Sequence, residues 1–266
     1  MATTLTYVLL GILEGLTEFL PVSSTGHLVL AGELLGFQGE GSATFKIAIQ
    51  LGAILAVLVA YWGRFWGVAK GLAVADRSAI AFTRNILIGF LPAMVIGVLA
   101  YDAVRAALQT PEIVAVALIV GGIAILLIER LVKAVRVTSV ETMPLRTAVS
   151  IGVVQCLAMV PGVSRSGATI MGALLMGVER RTAAEFSFFL AVPTMTAATV
   201  YALWKDRALL SLDDLQAIGI GFGAAFIVAL LVVKAFVAIV SRYGFAPFAW
   251  YRIVAGSIAL VWLLAR

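Results

Sequence analysis

The chain contains 266 residues, 62% of them hydrophobic and only 12% charged, with a net charge of +5 at neutral pH. Because soluble domains carry about 25% charged residues, this composition excludes an ordinary soluble protein and indicates a polytopic membrane protein. Strand-like alternation is absent from the sequence and apolar runs of roughly 20 residues recur, so we predict an all-helical protein in a lipid bilayer. The positive charge does not indicate a nucleic-acid partner, because the basic residues are predicted to lie in loops between the spans.

The predicted helices fall into two halves with the same order, a broken hairpin followed by three membrane spans. The first half has its hairpin at residues 5–20 and 23–36 and its spans at residues 45–62, 85–101 and 112–131. The second half has its hairpin at residues 147–160 and 163–177 and its spans at residues 185–204, 214–238 and 249–265. We therefore predict a single integral membrane domain over residues 1–266, with one repeat at about 1–131 and the other at about 147–266.

The two hairpins share a sequence pattern. The first reads GILEGLTEFLPVSSTGH (11–27) and the second GVVQCLAMVPGVSRSGAT (152–169), so that Gly11 corresponds to Gly152 and Glu14 to Gln155. Later spans also match in order, with IGF at 88–90 and 220–222 and VGGIAIL (120–126) beside VAGSIAL (254–260). Broken apolar segments at corresponding places in two halves indicate a binding site at the interface between the repeats.

Three spans in each half is an odd number, so we predict that the second repeat crosses the membrane in the opposite direction to the first. Of the 19 basic residues, thirteen (Arg252 among them) are predicted on one side and five on the other, and only Arg165, in the second hairpin, is assigned to neither. The richer side should be cytoplasmic. Both termini then face outwards, and the hairpin tips converge near the middle of the membrane, where irregular backbone must be buried in protein or line a cavity.

Two carboxylates lie in the first hairpin. Glu14 and Glu18 are four residues apart and share one helical face, although an ionisable group within a span costs at least about 2.5–3.5 kcal/mol. The pair could reach the interface near the N-terminus as a structural feature. The interpretation we favour is a site for a hard cation, Mg²⁺ or Ca²⁺, alone or with one carboxylate as a general base.

A cluster of hydroxyl groups follows the break at Pro21. Ser23 and Ser24 are placed to cap a new helix, whose exposed N–H groups favour an anion. Ser24 and His27, the only histidine of the chain, are three residues apart, as a nucleophile and its base could be. A structural histidine is the alternative.

The second break is followed by a candidate phosphate cradle. Its predicted members are Ser164, Arg165, Ser166 and Thr169. The guanidinium group of Arg165 suits bidentate recognition of phosphate, and the alternative is a buried structural salt bridge to Glu14 or Glu18. Gln50 and Glu185 are weaker candidates for the site.

Cation ligands, anion receptors and a nucleophile in a membrane indicate hydrolysis of a phosphate ester or anhydride on a lipid. Because inverted repeats with broken hairpins are also typical of transporters, a transporter or flippase of a lipid phosphate or another anion is the competing hypothesis.

These motifs resemble those of the bacterial undecaprenyl-pyrophosphate phosphatase family, also called the bacitracin-resistance protein family. The segments that carry the resemblance are EGLTEFLPVSSTGH (14–27), FKIAIQLGAILAV (45–57), QCLAMVPGVSRSGATI (155–170), GALLMGV (172–178) and EFSFFLAVP (185–193). The resemblance implies hydrolysis of undecaprenyl diphosphate to the monophosphate, which recycles the lipid carrier of peptidoglycan synthesis and limits the action of bacitracin. It also implies a multi-pass protein of the bacterial inner membrane, with a divalent cation and a site open to the periplasm.

The resemblance also implies roles for single residues. Glu14 and Glu18 match the acidic metal-site or diphosphate-site motif, Ser24 and His27 the proposed catalytic pair, and Arg165 the diphosphate-binding residue. The nucleophile is left open between Ser24, His27 and an activated water, and the pattern specifies no oligomeric state.

Overall fold

Helices make up nearly all of the computed structural model, which describes residues 3–37, 40–108, 110–132, 134–207 and 211–265 and, at residues 40 and 41, the backbone alone. The first half contains α1 (Thr4–Thr17), α2 (Ser24–Leu34), α3 (Glu40–Ala60), α4 (Trp62–Ala73), α5 (Arg77–Leu99), α6 (Tyr101–Ala107) and α7 (Pro111–Leu131). The second half contains α8 (Leu145–Gln155), a 3₁₀ turn (Cys156–Met159), α9 (Arg165–Leu175), α10 (Arg180–Asp206), α11 (Leu212–Tyr243) and α12 (Ala246–Leu264).

Six of these helices are long and apolar enough to cross a membrane, namely α3, α5, α7, α10, α11 and α12. They correspond one to one to the predicted spans, so the prediction of an all-helical polytopic membrane protein is confirmed. The predictions for residues 1, 2, 38, 39, 109, 133, 208–210 and 266 lie outside the described residues.

One span begins earlier than predicted. The sequence predicts a start at residue 85, where the apolar run begins, whereas α5 starts at Arg77 and is capped by the Asp76 carboxylate, which accepts from the N–H of Ala79 at 2.9 Å. Asn85, eight residues after this start, is fully buried and donates to the carbonyl oxygens of Val140 and Met143, each at 2.9 Å.

The sequence pattern also does not predict α4, which has no buried residue. Its two tryptophans, Trp62 and Trp66, are exposed and stacked on each other with ring centroids 6.2 Å apart. The Lys70 ammonium lies 5.3 Å from the ring centroid of Trp66. Exposed tryptophans beside basic residues on a short amphipathic helix are typical of a helix at the membrane interface.

Both predicted broken hairpins are present, as α1 with α2 and as α8 with α9. Helix α1 has 14 residues and α8 has 11, which at 1.5 Å per residue is too short for a hydrocarbon layer of about 30 Å. Each break is followed by a helix that starts again within the protein, so the two hairpins do not count as membrane spans.

Two close backbone contacts relate the halves to each other. A Cβ atom at Gly11 of α1 would collide with the carbonyl oxygen of Gly221 in α11, and one at Gly152 of α8 would collide with the carbonyl oxygen of Gly89 in α5. Since Gly11 corresponds to Gly152 and Gly89 to Gly221 in the sequence repeat, these are the same contact with the halves exchanged.

Helices α7 and α12, one from each half, make a second pair of contacts that become equivalent when the halves are exchanged. A Cβ atom at Gly122 would lie 2.7 Å from the carbonyl oxygen of Ala249, and one at Gly256 would lie 2.8 Å from that of Ala115. The residue pairs run in opposite directions along the two helices, so the helices are antiparallel. Reciprocal, antiparallel contacts support the predicted inverted repeat, whose boundaries stay predictions.

Candidate active site

The two breaks place strained serines at the starts of α2 and α9. Ser23 and Ser164 have positive φ angles of 69° and 79°, which non-glycine residues rarely adopt. Each hydroxyl group caps its helix, Ser23 accepting from the N–H of Gly26 at 3.2 Å and Ser164 from the N–H of Gly167 at 3.0 Å. Backbone strain of this kind concentrates at functional sites, and both serines are buried.

Glu18, Ser24 and Arg165 form one hydrogen-bonded cluster between the breaks. The Ser24 hydroxyl donates to Oε2 of Glu18, and Nη2 of Arg165 donates to Oε1 of the same carboxylate at 2.7 Å. All three side chains border one cavity and are nearly buried. The structure therefore brings together three predicted site residues from both halves of the chain.

The other guanidinium nitrogens of Arg165 differ in their partners. Nη1 donates to the carbonyl oxygen of Ser187 at 2.8 Å and to its hydroxyl at 3.2 Å. Nε is buried and has no hydrogen-bond partner among the described residues. The salt bridge to Glu18 agrees with the structural alternative, but the unpartnered N–H beside the cavity leaves Arg165 a donor for a phosphate oxygen.

The other predicted hydroxyls of the second break bind protein atoms. Ser166 donates to the carbonyl oxygen of Leu20 at 2.8 Å, and Thr169 donates to the hydroxyl of Ser187 at 2.7 Å. Neither borders the cavity, whereas Ser164 does. Ser166 therefore joins the two hairpins and Thr169 joins α9 to α10, and their predicted contact with a diphosphate stays a prediction.

His27 is not in hydrogen-bond contact with Ser24. Its Nδ1 lies 2.8 Å from the carbonyl oxygen of Ser23, which can only accept, and its Nε2 lies 2.8 Å from the hydroxyl of Tyr251. The rings of His27 and Tyr251 are stacked, 5.6 Å apart with an angle of 8° between their planes. With both ring nitrogens engaged and the Ser24 hydroxyl directed at Glu18, the predicted Ser24–His27 hydrogen bond is absent from the described residues.

Glu14 lies beside the site without a polar partner among the described residues and does not border the cavity. Its side chain is fully buried one helical turn before Glu18, and neither carboxylate oxygen has a hydrogen-bond partner among the described residues. A buried, unpartnered carboxylate beside a second one fits a divalent cation. No group of three or more histidine, cysteine, aspartate or glutamate residues with metal-binding geometry occurs in the described part of the chain. Two carboxylates can hold Mg²⁺, which often keeps water and substrate phosphates in the rest of its shell.

Arg252 does not lie where the distribution of charge predicts. The sequence assigns it to a cytoplasmic loop, but the side chain is fully buried in α12 and donates only to carbonyl oxygens. Its acceptors are Pro21 at 2.9 Å, Gly162 at 2.9 Å, Val163 at 3.0 Å, Ala117 at 3.1 Å and Leu118 at 3.3 Å. These hydrogen bonds hold both breaks and α7 against α12. The sequence does not reveal this role, because the acceptors are backbone atoms and no acidic partner marks the site.

The cavity has a volume of about 250 Å³ and is lined by both polar and apolar residues. Its polar residues at the breaks are Glu18, Ser23, Ser24, Gln155, Ser164 and Arg165. Apolar side chains of α5 and α10, such as Phe90 and Met195, form much of the remaining wall, which extends to Lys46 and Tyr101. The cavity combines anion-binding groups with an apolar surface, as an amphipathic lipid would require.

Fold and site together define a polytopic helical membrane protein with a polar cavity between two broken hairpins. Residues 7–258 match the family model of the bacitracin resistance protein BacA. The chain is 76% identical to an undecaprenyl-diphosphatase of Sphingopyxis alaskensis over 97% of both chains, and 64% identical to one of Rhizorhabdus wittichii over 98% of both. It is also 54% identical to undecaprenyl-diphosphatase 2 of Paramagnetospirillum magneticum over 97% of this chain and 98% of that one. The chain therefore belongs to the BacA bacitracin resistance protein family, as its sequence motifs predict.

Proposed function

We propose that this protein is an undecaprenyl-diphosphate phosphatase of the bacterial inner membrane. It hydrolyses undecaprenyl diphosphate to undecaprenyl monophosphate and phosphate, which recycles the cell-wall lipid carrier and gives resistance to bacitracin. The observation that carries the proposal is the cluster of Glu18, Ser24 and Arg165 at two converging helix starts. The full-length similarity to undecaprenyl-diphosphatases supports the same substrate.

The cavity accommodates the two chemical parts of this substrate at different places. The diphosphate lies at the breaks, where Arg165 and the N–H groups of α2 and α9 face it. The first isoprene units lie along the apolar wall of α5 and α10. Access is from the periplasmic side, because the cavity extends to Lys46, near the start of α3, and to Tyr101, the first residue of α6. The distribution of basic residues assigns this end of the helices to the outside.

Ser24 is the leading nucleophile. Its oxygen attacks the terminal phosphorus in line with the bridging oxygen, the phosphorus–oxygen bond to the lipid monophosphate breaks, and the hydroxyl proton passes to the Glu18 carboxylate. Water then hydrolyses the phosphoserine and releases phosphate. Because Ser24 donates to Glu18 in the structure, Glu18 is a better placed base than His27, which orients the helix start through Ser23.

Arg165 stabilises the charge of the transferring phosphoryl group. Its Nε, unpartnered among the described residues, donates to a phosphate oxygen, while Nη1 and Nη2 hold the guanidinium group against Ser187 and Glu18. A divalent cation, Mg²⁺ or Ca²⁺, would be held by Glu14 and Glu18, and when bound it neutralises charge on the phosphate oxygens.

A transporter or flippase of a lipid phosphate is the second candidate, favoured by the reciprocal contacts between the two halves. Purified protein in detergent, supplied with undecaprenyl diphosphate and Mg²⁺ or Ca²⁺, separates the two. Phosphate release that is lost in Ser24→Ala supports the phosphatase. If no phosphate is released while the protein moves the lipid between leaflets of a vesicle, the phosphatase proposal is wrong.

A further inference from the structure

Gln155 is a buried amide without a protein partner at the edge of the cavity. It is the last residue of α8 and is 2% exposed. Both its Nε2 and its Oε1 are buried without a hydrogen-bond partner among the described residues, although the residue borders the same cavity as Glu18, Ser24 and Arg165.

The other buried amides in the described part of the chain have hydrogen-bond partners. Gln50, which borders the same cavity, donates to the hydroxyl of Thr25 at 3.1 Å, and Asn85 donates to two carbonyl oxygens. Burying an unpartnered amide costs free energy that an apolar side chain of similar shape would avoid. The exception at Gln155 therefore needs a reason, and a ligand that supplies the missing partner is one.

The sequence repeat indicates the charge of that ligand. Gln155 corresponds to Glu14, and Met159 corresponds to Glu18. The first hairpin thus carries two carboxylates, and the second carries an amide and a thioether at the same places. An amide has nearly the shape of a carboxylate, but its nitrogen donates hydrogen bonds and it adds no negative charge opposite an anionic substrate.

We propose that Gln155 is a substrate-binding residue whose Nε2 donates to a phosphate oxygen of the diphosphate, a role that rests on the proposed lipid-diphosphate hydrolysis. Because no hydrogen bond to a described residue holds the amide, it can turn into the cavity without breaking one. The diphosphate is then held by Arg165 and Gln155 from the second hairpin, while the first hairpin supplies Ser24 and the carboxylates.

The test compares Gln155→Met, which keeps the size of the side chain, with Gln155→Glu, which keeps its shape but adds a charge. Farnesyl diphosphate serves as the substrate in detergent, and its methylene-bridged diphosphonate analogue serves as a probe of binding without hydrolysis. Since a hydrogen bond to a charged group is lost, Gln155→Met should weaken analogue binding and raise KM by about 10- to 100-fold. Gln155→Glu should weaken analogue binding and raise KM still further, because its carboxylate repels the diphosphate.

The Tm of thermal unfolding without ligand separates a binding role from a packing role, because the loss of a packing contact would lower it. Gln155→Met should leave the Tm unchanged or raise it, because the buried amide has no partner to lose. Cys156→Ala is the matched control, since its thiol donates to the carbonyl oxygen of Gly152 at 3.5 Å and does not border the cavity. This control should keep the wild-type KM.

The two proposals fail in different ways. If the wild type releases no phosphate yet binds the analogue, and Gln155→Met weakens that binding, the phosphatase proposal is wrong and the binding role of Gln155 stands. If the wild type is active and Gln155→Met binds the analogue normally, the inference about Gln155 is wrong. A lower Tm in Gln155→Met with normal KM, or tighter binding in Gln155→Glu, would also overturn it.

Discussion

The contacts of Arg165 predict that its positive charge alone does not support full activity. It binds Ser187 through Nη1 and Glu18 through Nη2, and its Nε is unpartnered among the described residues. Lysine keeps the charge, but its compact ammonium group lacks the planar fork that reaches Ser187, Glu18 and a phosphate at the same time. We expect Arg165→Lys to lower kcat/KM for undecaprenyl diphosphate by about 100-fold, equivalent to one or two charge-assisted hydrogen bonds.

The control for Arg165→Lys is Arg180→Lys, because Arg180 is half exposed and pairs only loosely with Glu129 at 3.4 Å. This variant should keep the wild-type rate. Wild-type turnover in Arg165→Lys would instead show that the residue supplies charge or structure only.

The isolation of Glu14 predicts dependence on a divalent cation. Two neighbouring carboxylates, one of them fully buried without a partner among the described residues, repel each other unless a cation or a proton intervenes. We expect the chelator EDTA to abolish phosphate release and added Mg²⁺ or Ca²⁺ to restore it. Glu14→Gln should raise the concentration of metal needed for half-maximal rate by about tenfold or more, as expected for the loss of one carboxylate ligand. Full activity of the wild type in EDTA contradicts the metal site.

The positions of Ser24 and His27 predict the nature of any covalent intermediate. Rapid quenching with substrate labelled in the terminal phosphate should give a base-labile, acid-stable protein adduct that is absent from Ser24→Ala. His27→Asn should still form it, because the Ser24 hydroxyl donates to Glu18 and not to the imidazole. An acid-labile adduct that is lost in His27→Asn but retained in Ser24→Ala would assign the nucleophile to His27.

At the scale of elements, Arg252 of α12 connects the two hairpin breaks with α7, a contact that the sequence alone does not predict. Its guanidinium group binds carbonyl oxygens of both hairpin breaks and of α7. Arg252→Met would leave these buried acceptors without donors. We expect it to lower the free energy of unfolding by about 2–4 kcal/mol and to reduce activity by misplacing both helix starts. Arg242→Met, at an exposed position of α11, should change neither the Tm in detergent nor the rate. An unchanged Tm in Arg252→Met is the contrary result.

The elements that local sequence determines could be predicted, and those that depend on tertiary contacts could not. Six apolar runs, two breaks at Pro21 and Pro161 and the capping serines are local features, so the spans and hairpins follow from them. The hydrogen bonds that hold Asn85, inside the predicted span, were not predictable, because their acceptors are more than 50 positions away. The start of α5 was missed because residues 77–84 precede the apolar run and include basic and polar side chains.

The same distinction applies to the site. Glu18, Ser24 and Arg165 could be predicted because polar groups in a broken apolar segment are costly and therefore conspicuous. Ser187 and Tyr251 could not, since a serine and a tyrosine within apolar helices are unremarkable until the fold places them beside Arg165 and His27. Helical spacing also suggested a Ser24–His27 pair that the described contacts do not contain, because each side chain has another partner.

For the whole molecule, the remaining prediction is its orientation in the membrane. With Arg252 buried, twelve basic residues remain assigned to one side and five to the other, so the asymmetry still places the richer side in the cytoplasm. The loop between α4 and α5 then faces the cytoplasm, and α6 faces the periplasm, close to where the cavity reaches Tyr101.

Single cysteines introduced into a Cys156→Ala background test this orientation in intact cells. Ala106 of α6 and Val74 after α4 are both exposed, so a reagent can reach either side chain if it is on the right side of the membrane. A membrane-impermeant maleimide should label Ala106→Cys and should label Val74→Cys only after the cells are opened. Labelling of Val74→Cys alone in intact cells would reverse the orientation and place the mouth of the cavity on the cytoplasmic side. Because α5 lies between the two positions, labelling of both in intact cells would mean that α5 does not cross the membrane, which contradicts the inverted repeat as well.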